Sequence, residues 1–464
     1  MTPSIPVSPQ LPLFPHEFSW GVATSAYQVE GAAEVDGRGP AGWDVFAGEP
    51  GRVRDGSTGA GSGGHYRRVG EDVGLMRELG VGAYRFSVAW PRVVPEGEGR
   101  VNPAGLDFYD RLVDRLVAAG IDPVVTLYHW DTPLPLEERG GWLVRETALR
   151  FAEYADAVAA RLADRVAHWI PLNEPAEVTL LGYGLGQHAP GRRLLFDALP
   201  AAHHQLLAHG LAVGVLRARG ARSVGTANSH GPVHPLSERE EDVAAAGLYD
   251  TLTNRLFADP VLLGRYPDGF GELMPGPVHE DLAQVAQPLD RYGVNYYQPT
   301  LVGAPRAEET TTGGVTLPAE LPFSVHEMPG VPRTGFGWPV VPEGLPETLR
   351  VLGERYGEAL PPLLVTENGC AYPEEHEDHR RIAYLESHLR ALHGAVTRDG
   401  ADVRGYFVWS LLDNFEWAEG RTQRFGLVHV DWETQRRTPK ASYHWLREVL
   451  RAQAAARPSG RPRG

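Results

Sequence analysis

The chain has 464 residues, and its 42% hydrophobic and 9% aromatic content is enough to bury a large core. A formal net charge of −15 argues against nucleic acid as a partner, because phosphates attract basic surfaces. The single cysteine, Cys370, excludes an internal disulfide, and no window approaches the roughly 18 apolar residues of a membrane span. Since the first residues also lack a signal-peptide pattern, we expect a cytoplasmic protein without membrane contact.

Eight apolar runs of strand type recur along the chain, and helical patterns separate them. We place the runs at residues 18–24, 81–88, 123–128, up to Glu174, 223–227, 292–297, up to Glu367, and 403–409. Regular alternation of eight strands with helices is typical of a closed barrel rather than an open sheet. The sequence therefore predicts an α/β fold, a single (β/α)8 TIM barrel with long βα loops.

One helical pattern shows its end in the sequence. Its apolar residues lie on one face of the predicted helix: Tyr66, Val69, Val73, Met76 and Leu79. Gly80 follows them and is expected to end the helix. No linker divides the chain, so we expect one barrel domain over residues 14–451. Residues 1–13 are predicted to be an irregular lead-in and 452–464 a disordered tail, while 304–330 are predicted to be a long surface loop near the site.

Two glutamates end apolar runs. Glu367 follows the run 363–365 and precedes Asn-Gly, and Glu174 is preceded by an asparagine and followed by a proline. In a parallel barrel the carboxyl ends of the strands carry the chemistry. A retaining glycosidase needs two carboxyl groups about 5–5.5 Å apart, one ionised nucleophile and one proton donor. This pair of glutamates fits that need.

Seven motifs occur in a fixed order: FSWGVATSAYQ at 18–28, YRFSVAW at 84–90, YHWD at 128–131, LNEP at 172–175, GVNYY at 293–297, TENG at 366–369 and WSLLDNFEW at 409–417. With them the chain resembles the family 1 glycoside hydrolases, the β-glucosidase-like enzymes, from about residue 14 to about residue 446. The resemblance implies a barrel enzyme that hydrolyses β-glycosides with retention of configuration. It implies Glu367 as the nucleophile and Glu174 as the acid/base.

The surroundings of the two carboxyl groups should differ. Arg85 and the Tyr297 hydroxyl are the candidates for holding Glu367 ionised, since a cation and hydrogen bonds favour the charged form. Glu174 should have a raised pKa, from the like charge and from apolar neighbours. Once Glu367 carries the glycosyl group, the pKa of Glu174 should fall, so that Glu174 can act as a base.

The resemblance also implies the substrate-binding residues. Hydrogen bonds to the sugar are expected from Gln28, His129, Asn173 and Glu416, with Asn173 at the 2-hydroxyl. The aromatic surfaces are expected from Trp409 and Trp417 in the first subsite, Trp338 as aglycone platform, and Trp130 and Phe425 as apolar wall. Asn295 and Tyr297, at the end of the sixth strand, complete the predicted substrate-binding set.

Two positions narrow the substrate class. Relatives that act on 6-phosphorylated sugars resemble one another in having serine at the position of Glu416, whose charge would here repel phosphate. Thioglucosidases replace the acid/base by glutamine, whereas this chain keeps Glu174. We therefore expect an exo-β-glucosidase for unphosphorylated O-glucosides, with some activity on β-galactosides and β-fucosides.

No cofactor or metal is expected, because the 18 histidines lack a matching Cys/Asp cluster. Lys440 is the only lysine and lies in a polar stretch, so a Schiff-base mechanism is not expected. The partner should be a small glycoside or oligosaccharide; the oligomeric state and the preferred aglycone stay open. The rival functions are a transglycosidase, decided on the aglycone side, and a non-catalytic sugar-binding relative, which should have lost Glu174 or Glu367.

Overall fold

The structure is a computed structural model, and it describes residues 11–456. One sheet contains eight parallel strands in the order β4-β3-β2-β1-β8-β7-β6-β5. The strands are β1 Ser19–Ala23, β2 Ala83–Ser87, β3 Asp122–Tyr128, β4 His168–Leu172, β5 Asn228–Ser229, β6 Tyr292–Asn295, β7 Leu363–Asn368 and β8 Val403–Trp409.

The sheet closes between its two end strands. Trp169 of β4 forms a parallel bridge with Val224, and Asn173 forms one with Ala227, in the segment that leads into β5. The Glu174 amide also donates to the Ala227 carbonyl at 2.8 Å. These contacts complete the ring, and the predicted closed barrel is confirmed.

The fifth strand is shorter than predicted. Residues 223–227 make only isolated bridges, and the regular strand is limited to Asn228–Ser229. One cause is visible at Thr226, whose side-chain oxygen accepts the Gly293 amide at 3.1 Å. That amide is taken from the backbone ladder, so the pairing with β6 begins only at Asn228.

Ten helices of eight or more residues follow or connect the strands: His65–Leu79, Pro103–Ala118, Arg145–Leu162, Leu199–Ala218, Glu240–Asp250, Leu256–Leu263, Val278–Val285, Gly344–Tyr356, His379–Thr397 and Ala441–Ala455 among residues 11–456. The first ends as predicted at Gly80, whose φ of 88° favours glycine. Shorter helical segments are Ala26–Val29, Gly42–Gly48, Trp90–Val93, Leu134–Glu138 and Pro175–Glu177, with π-helical turns at Val178–Gly184 and Thr251–Arg255.

The barrel interior is packed rather than hollow. Small residues of neighbouring strands leave room for the ring of Phe407, and a side chain at Gly21 would meet that ring at 2.3 Å. The interior cluster consists of Ala23, Ala83, Val124, Ile170, Ala227, Ala371, Phe407, Trp409 and Phe425. Because this cluster fills the barrel, space for a ligand remains at the carboxyl ends of the strands.

The stretch 304–330 contains regular secondary structure. The segment predicted to be a long surface loop contains short strands at Thr310–Thr312, Val315–Leu317 and Ser324–His326, which the sequence pattern did not predict. Its turn does lie at the site, since the Gly313 carbonyl accepts Nε1–H of Trp338 at 2.9 Å. The remaining short strands are Val233–Pro235, Thr300–Gly303, Val428–Val430 and Arg437–Pro439.

The two ends of the described chain contact each other. The Gln453 side chain accepts the Phe14 amide and donates to the Pro12 carbonyl, both at 3.0 Å. The last helix therefore continues to Ala455, and the expected start of a disordered tail at 452 is wrong for its first four residues. The rest of that tail (457–464) and residues 1–10 of the expected lead-in lie outside the described residues. Within 11–456, none of the helices combines the length and hydrophobicity needed to cross a membrane.

Candidate active site

The carboxyl ends of the strands surround a cavity of about 300 Å³. Glu174 follows the end of β4, Glu367 is the penultimate residue of β7, and Tyr297 follows β6 by two residues. All three side chains line the cavity. The barrel thus brings together residues that are far apart in the sequence.

Glu367 is buried, and each of its carboxylate oxygens has a donor. Arg85 Nη1 donates to Oε1 at 2.5 Å, and the Tyr297 hydroxyl donates to Oε2 at 2.7 Å. Burial raises the pKa of Glu367, whereas the charge of Arg85 and the bond from Tyr297 act in the opposite direction. Arg85 and Tyr297 therefore stabilise the ionised form of Glu367, which burial alone would disfavour.

Among residues 11–456, the Glu174 side chain has one hydrogen-bond donor, the Asn295 Nδ2 at 2.8 Å. Burial raises the pKa of Glu174 well above its usual range, and the charge of Glu367 raises it further. Because Glu367 has a guanidinium partner and Glu174 has only a neutral amide, a proton shared by the pair resides on Glu174. The pair can supply a nucleophile and an acid at the same pH.

Asn173 and Asn295 connect the two carboxyl groups. Asn173 Oδ1 accepts from Arg85 Nη2 at 2.5 Å and from Asn295 Nδ2 at 3.0 Å. These bonds orient the Asn173 amide so that its Nδ2 faces His129 Nε2 at 3.2 Å. Burial, followed by the charge of Arg85, keeps the pKa of His129 well below its usual range, so the imidazole is neutral and accepts at Nε2.

We call Gln28, His129, Asn173 and Glu416 the polar ring of the site. Within it, Gln28 and Glu416 lie side by side. Gln28 Nε2 contacts Glu416 Oε2 at 3.3 Å and the Phe415 carbonyl at 3.1 Å, and its oxygen accepts from Ser25. Burial, then the charge of Glu367, raises the pKa of Glu416 to about 8. A carboxyl group in this state can donate a hydrogen bond to a ligand hydroxyl as well as accept one.

The aromatic residues form the apolar parts of the wall. The rings of Trp130 and Trp417 lie 4.6 Å apart, and His129 stacks on Trp409 at 5.6 Å. Trp338 is held by its bond to Gly313 and packs 5.9 Å from Phe425. Such faces suit the apolar side of a pyranose ring.

The structure assembles the whole predicted set. Ten of its members line the cavity: His129, Trp130, Glu174, Tyr297, Trp338, Glu367, Trp409, Glu416, Trp417 and Phe425. The other four, Gln28, Arg85, Asn173 and Asn295, hydrogen-bond residues of that wall. Their assignment to catalysis and substrate binding remains a prediction.

Sequence reasoning missed one carboxyl group of the cavity. Glu177 also lines it, three residues after Glu174 and at the end of the short helix Pro175–Glu177. Burial raises the pKa of Glu177 to about 7, and Ser229 provides a hydrogen bond that lowers it. Helical spacing from Glu174 could have identified Glu177, because residues three apart lie on one face of a helix.

Lys440, which lies in a polar stretch of the sequence, is not exposed in the fold. Its side chain is fully buried, and Nζ donates to Asp413 Oδ1 at 2.7 Å. It does not line the cavity.

Among residues 11–456, one group has the ligand types and spacing for a metal ion: Glu375, His376 and His429. None of the three lines the cavity. The guanidinium of Arg424 lies 3.2 Å from His429 Nδ1, and its charge opposes cation binding there.

Comparison with known proteins gives consistent matches over almost the whole chain. The family model described as "Glycosyl hydrolase family 1" matches residues 11–455. "Beta-glucosidase A" of Thermotoga maritima is 42% identical over 450 residues, covering 94% of this chain and 98% of that protein. The "Bifunctional beta-D-glucosidase/beta-D-fucosidase" of Bifidobacterium breve is 42% identical over 462 residues, covering 94% and 98%.

The solved structures agree with these relatives. The family 1 β-glucosidase of Thermotoga maritima in complex with isofagomine lactam superposes with a TM-score of 0.88 at 41% identity. The match covers 95% of this chain and 99% of that chain.

Proposed function

The chain belongs to glycosyl hydrolase family 1 and is a glycosidase of that family; we propose that it hydrolyses unphosphorylated β-D-glucosides from the non-reducing end, with retention of configuration. The observation that carries the proposal is the unequal pair of buried carboxyl groups. Within the described part of the chain, the Glu367 carboxylate accepts from Arg85 and Tyr297, and the Glu174 side chain accepts from Asn295.

In the first step Glu367 is the nucleophile. An oxygen of its carboxylate attacks the anomeric carbon as the bond to the leaving oxygen breaks, and Glu174 transfers its proton to that oxygen. The products are the free alcohol and a glycosyl ester of Glu367. Arg85 and Tyr297 hold the carboxylate in place until its charge is transferred into the new bond.

In the second step Glu174 is the base. Esterification removes the negative charge of Glu367, which had raised the pKa of Glu174, so that this pKa falls. Glu174 then takes a proton from water, the water oxygen attacks the anomeric carbon, and the ester bond to Glu367 breaks. Two inversions at one carbon leave the β-configuration unchanged.

The polar ring supports recognition of a neutral sugar. Gln28, His129 and Glu416 offer acceptors and donors to the hydroxyl groups, and Asn173 is positioned between them and the carboxyl pair. No arginine or lysine occurs among the described residues that line the cavity, so a phosphate group would find no cation there.

We extend the proposed substrates to β-fucosides and β-galactosides, following the two activities in the name of the Bifidobacterium breve relative. We also propose a cytoplasmic location, since the only cysteine, Cys370, is buried and the chain has no second cysteine to pair with.

The test is hydrolysis of 4-nitrophenyl β-D-glucoside by the wild type and by Glu367→Gly, with and without sodium azide. We expect activity in the wild type, loss in the variant, and rescue by azide that yields α-glucosyl azide. In Glu174→Gly, azide should instead yield β-glucosyl azide, because it replaces the water of the second step.

An inert wild type on glucoside, galactoside and fucoside alike would refute the proposed function. Full activity in Glu367→Gly would refute the assignment of the nucleophile while leaving the function intact.

A further inference from the structure

One part of the cavity wall is apolar and lies outside the predicted sugar-binding set. It comes from three segments, residues 178–199, 249–252 and 315–323. We call it the leucine wall and define it by Leu181, Leu185, Leu195, Leu252, Leu317 and Phe323. The short strand Val315–Leu317 connects it to the turn at Gly313 that holds Trp338.

Glu177 is the carboxyl group closest in sequence to the leucine wall. It directly precedes the π-helical turn Val178–Gly184, which supplies Leu181, and it lies one helical turn from Glu174. Its hydrogen bond comes from Ser229, a neutral hydroxyl. No arginine or lysine is among the described residues that line the cavity, so a ligand cation would meet no competing protein cation on this wall.

Among residues 11–456, the charged residues that line the cavity are all acidic; Glu367 supplies negative charge at neutral pH, and Glu177 and Glu416 add to it as the pH rises towards 8 and above. Five carboxyl groups line the cavity: Glu174, Glu177, Glu367, Glu416 and Glu419. Its three histidines are neutral, because burial holds the pKa of His188 and of His230 at about 4 and that of His129 well below its usual range. A cavity of this charge attracts cations and repels anions.

We propose that the leucine wall and Glu177 form the binding site for an apolar aglycone that carries an ammonium group. The apolar body of the alcohol packs on the leucine wall, and its ammonium group pairs with the Glu177 carboxylate. Trp338 and Phe336, whose ring centroids lie 4.3 Å apart, line the same cavity and offer aromatic surface to the aglycone. The inference rests on the proposed function, because the aglycone is the leaving part of the glucoside.

A second sugar fits this site less well than an apolar alcohol. Its hydroxyl groups would lie against the side chains of the leucine wall, and polar groups buried without partners lose the hydrogen bonds they had in water. An apolar body loses no such bonds, and its removal from water is itself favourable.

The charge state of Glu177 gives the site a dependence on pH. The groups that act on it are Glu174, just before the same short helix, Tyr249 on Glu240–Asp250, and Ser229 at the end of β5. His230 lines the same cavity and bonds Asn254 and the Tyr292 hydroxyl. Arg255, in the adjacent π-helical turn, is paired with Asp259 at 3.1 Å. The histidines of Leu199–Ala218 have other partners: His203 bonds Asp281, and His204 bonds the Trp142 carbonyl.

Because burial raises the pKa of Glu177 to about 7, its carboxylate predominates at pH 8 and declines at pH 6.

The experiment compares 3-(aminomethyl)benzyl β-D-glucoside with 3-methylbenzyl β-D-glucoside. Both have the same apolar body, and the substituent is too remote to change the leaving oxygen much. The readout is the ratio of the two kcat/KM values, in which a general loss of activity cancels. We expect the wild type at pH 8 to prefer the ammonium compound by about tenfold or more, as for a hydrogen bond to a charged group. At pH 6 the preference should be smaller.

Two variants separate Glu177 from the general charge of the cavity. Glu177→Gln should abolish both the preference and its pH dependence. Glu419→Gln removes one negative charge from the same cavity, but Glu419 is already paired with Arg54 at 2.9 Å, and the preference should persist. The wild-type pH dependence needs no variant: a midpoint near pH 7 assigns the preference to Glu177, and a midpoint near pH 8 would assign it to Glu416 and overturn the inference, even if Glu177→Gln does not fold.

The remaining outcomes would refute the ammonium site, the apolar aglycone or the proposed function, each by a different result. If the wild type shows no preference at pH 8, or if Glu177→Gln keeps it, the ammonium site is wrong while the glucosidase function stands. If 4-nitrophenyl β-D-glucoside is hydrolysed but neither benzyl glucoside is, the apolar aglycone is wrong. If none of the three is hydrolysed, the proposed function itself fails.

Discussion

The Tyr297 hydroxyl bonds Oε2 of Glu367, the oxygen that Arg85 does not bind. The two donors therefore act on different oxygens, and neither can substitute for the other without rotation of the carboxylate. Burial raises the pKa of Tyr297 well above its usual range, so the phenol keeps its proton and remains a donor throughout the working pH range.

Replacement of Tyr297 by phenylalanine should raise the pKa of Glu367. The acidic limb of the kcat/KM profile should move to higher pH, and kcat/KM at its optimum should fall about 10- to 100-fold, the effect of one hydrogen bond to a charged group. The profile with 4-nitrophenyl β-D-glucoside measures both. Tyr296→Phe is the matched control, because the Tyr296 hydroxyl bonds the Val341 carbonyl and no carboxylate. A limb that stays in place in Tyr297→Phe would contradict the assigned role.

Replacement of Glu174 by glycine should make the rate depend steeply on the leaving group. Without the acid, alkyl glucosides should lose activity by 10²- to 10⁴-fold, whereas the first step with 2,4-dinitrophenyl β-D-glucoside needs little protonation. The alkaline limb of the pH profile should also disappear. Burst kinetics with the dinitrophenyl substrate measure the first step separately. Equal losses on all leaving groups would show that Glu174 is not the acid.

Asp131 makes stability depend on pH. It is fully buried, neither of its oxygens has a partner within hydrogen-bond geometry among residues 11–456, and burial raises its pKa to about 7. The native state therefore binds the proton more tightly than the unfolded state. The associated stability is present below about pH 4 and is lost as the pH rises through about 7, with a total of the order of 4 kcal/mol.

Urea unfolding of Asp131→Asn tests this dependence. The variant should show a weaker fall in the free energy of unfolding between pH 4 and pH 7 than the wild type. Asp164→Asn, at an aspartate whose side chain is 72% exposed, should leave the slope unchanged. An identical slope in wild type and Asp131→Asn would contradict the prediction.

Removal of Lys440 should destabilise the fold without touching the cavity. In Lys440→Met the carboxylate of Asp413 would stay buried and lose its ammonium partner but keep Arg424 at 2.9 Å, so the cost should not exceed the about 3–5 kcal/mol of a broken buried pair. The double variant Lys440→Met/Asp413→Asn should recover part of this loss, because the charge that Lys440 compensated is gone. Unfolding free energies of the three proteins decide the matter. No recovery in the double variant would mean that packing, not charge, dominates.

The sequence predicted the barrel well where strands are buried on both faces. The run 403–409 has the same bounds as β8, because its apolar residues face either the barrel interior or the outer helices. The site residues could be predicted because they lie at such strand ends or in motifs that resemble a known family. The roles of Glu367 and Glu174 differ through contacts that only the folded barrel creates.

The remaining differences have local causes. The fifth strand begins late because a threonine side chain takes a ladder bond, which no propensity pattern indicates. The short strands in 304–330 pair with each other and with Thr300–Gly303, so their stability comes from partners rather than from their own residues. Glu177 was missed because a polar residue after a helix start resembles any solvated side chain.

The burial of Lys440 also limits which chemical reagents can modify the native protein. It is the only lysine, and Cys370 is the only cysteine; both side chains are fully buried. Activated esters, glutaraldehyde and maleimides therefore find no lysine or cysteine side chain at the surface of the folded enzyme. Apart from the α-amino group, surface carboxylates are the groups through which the enzyme could be attached to a support. A single lysine or cysteine introduced at a chosen surface position would be modified uniquely.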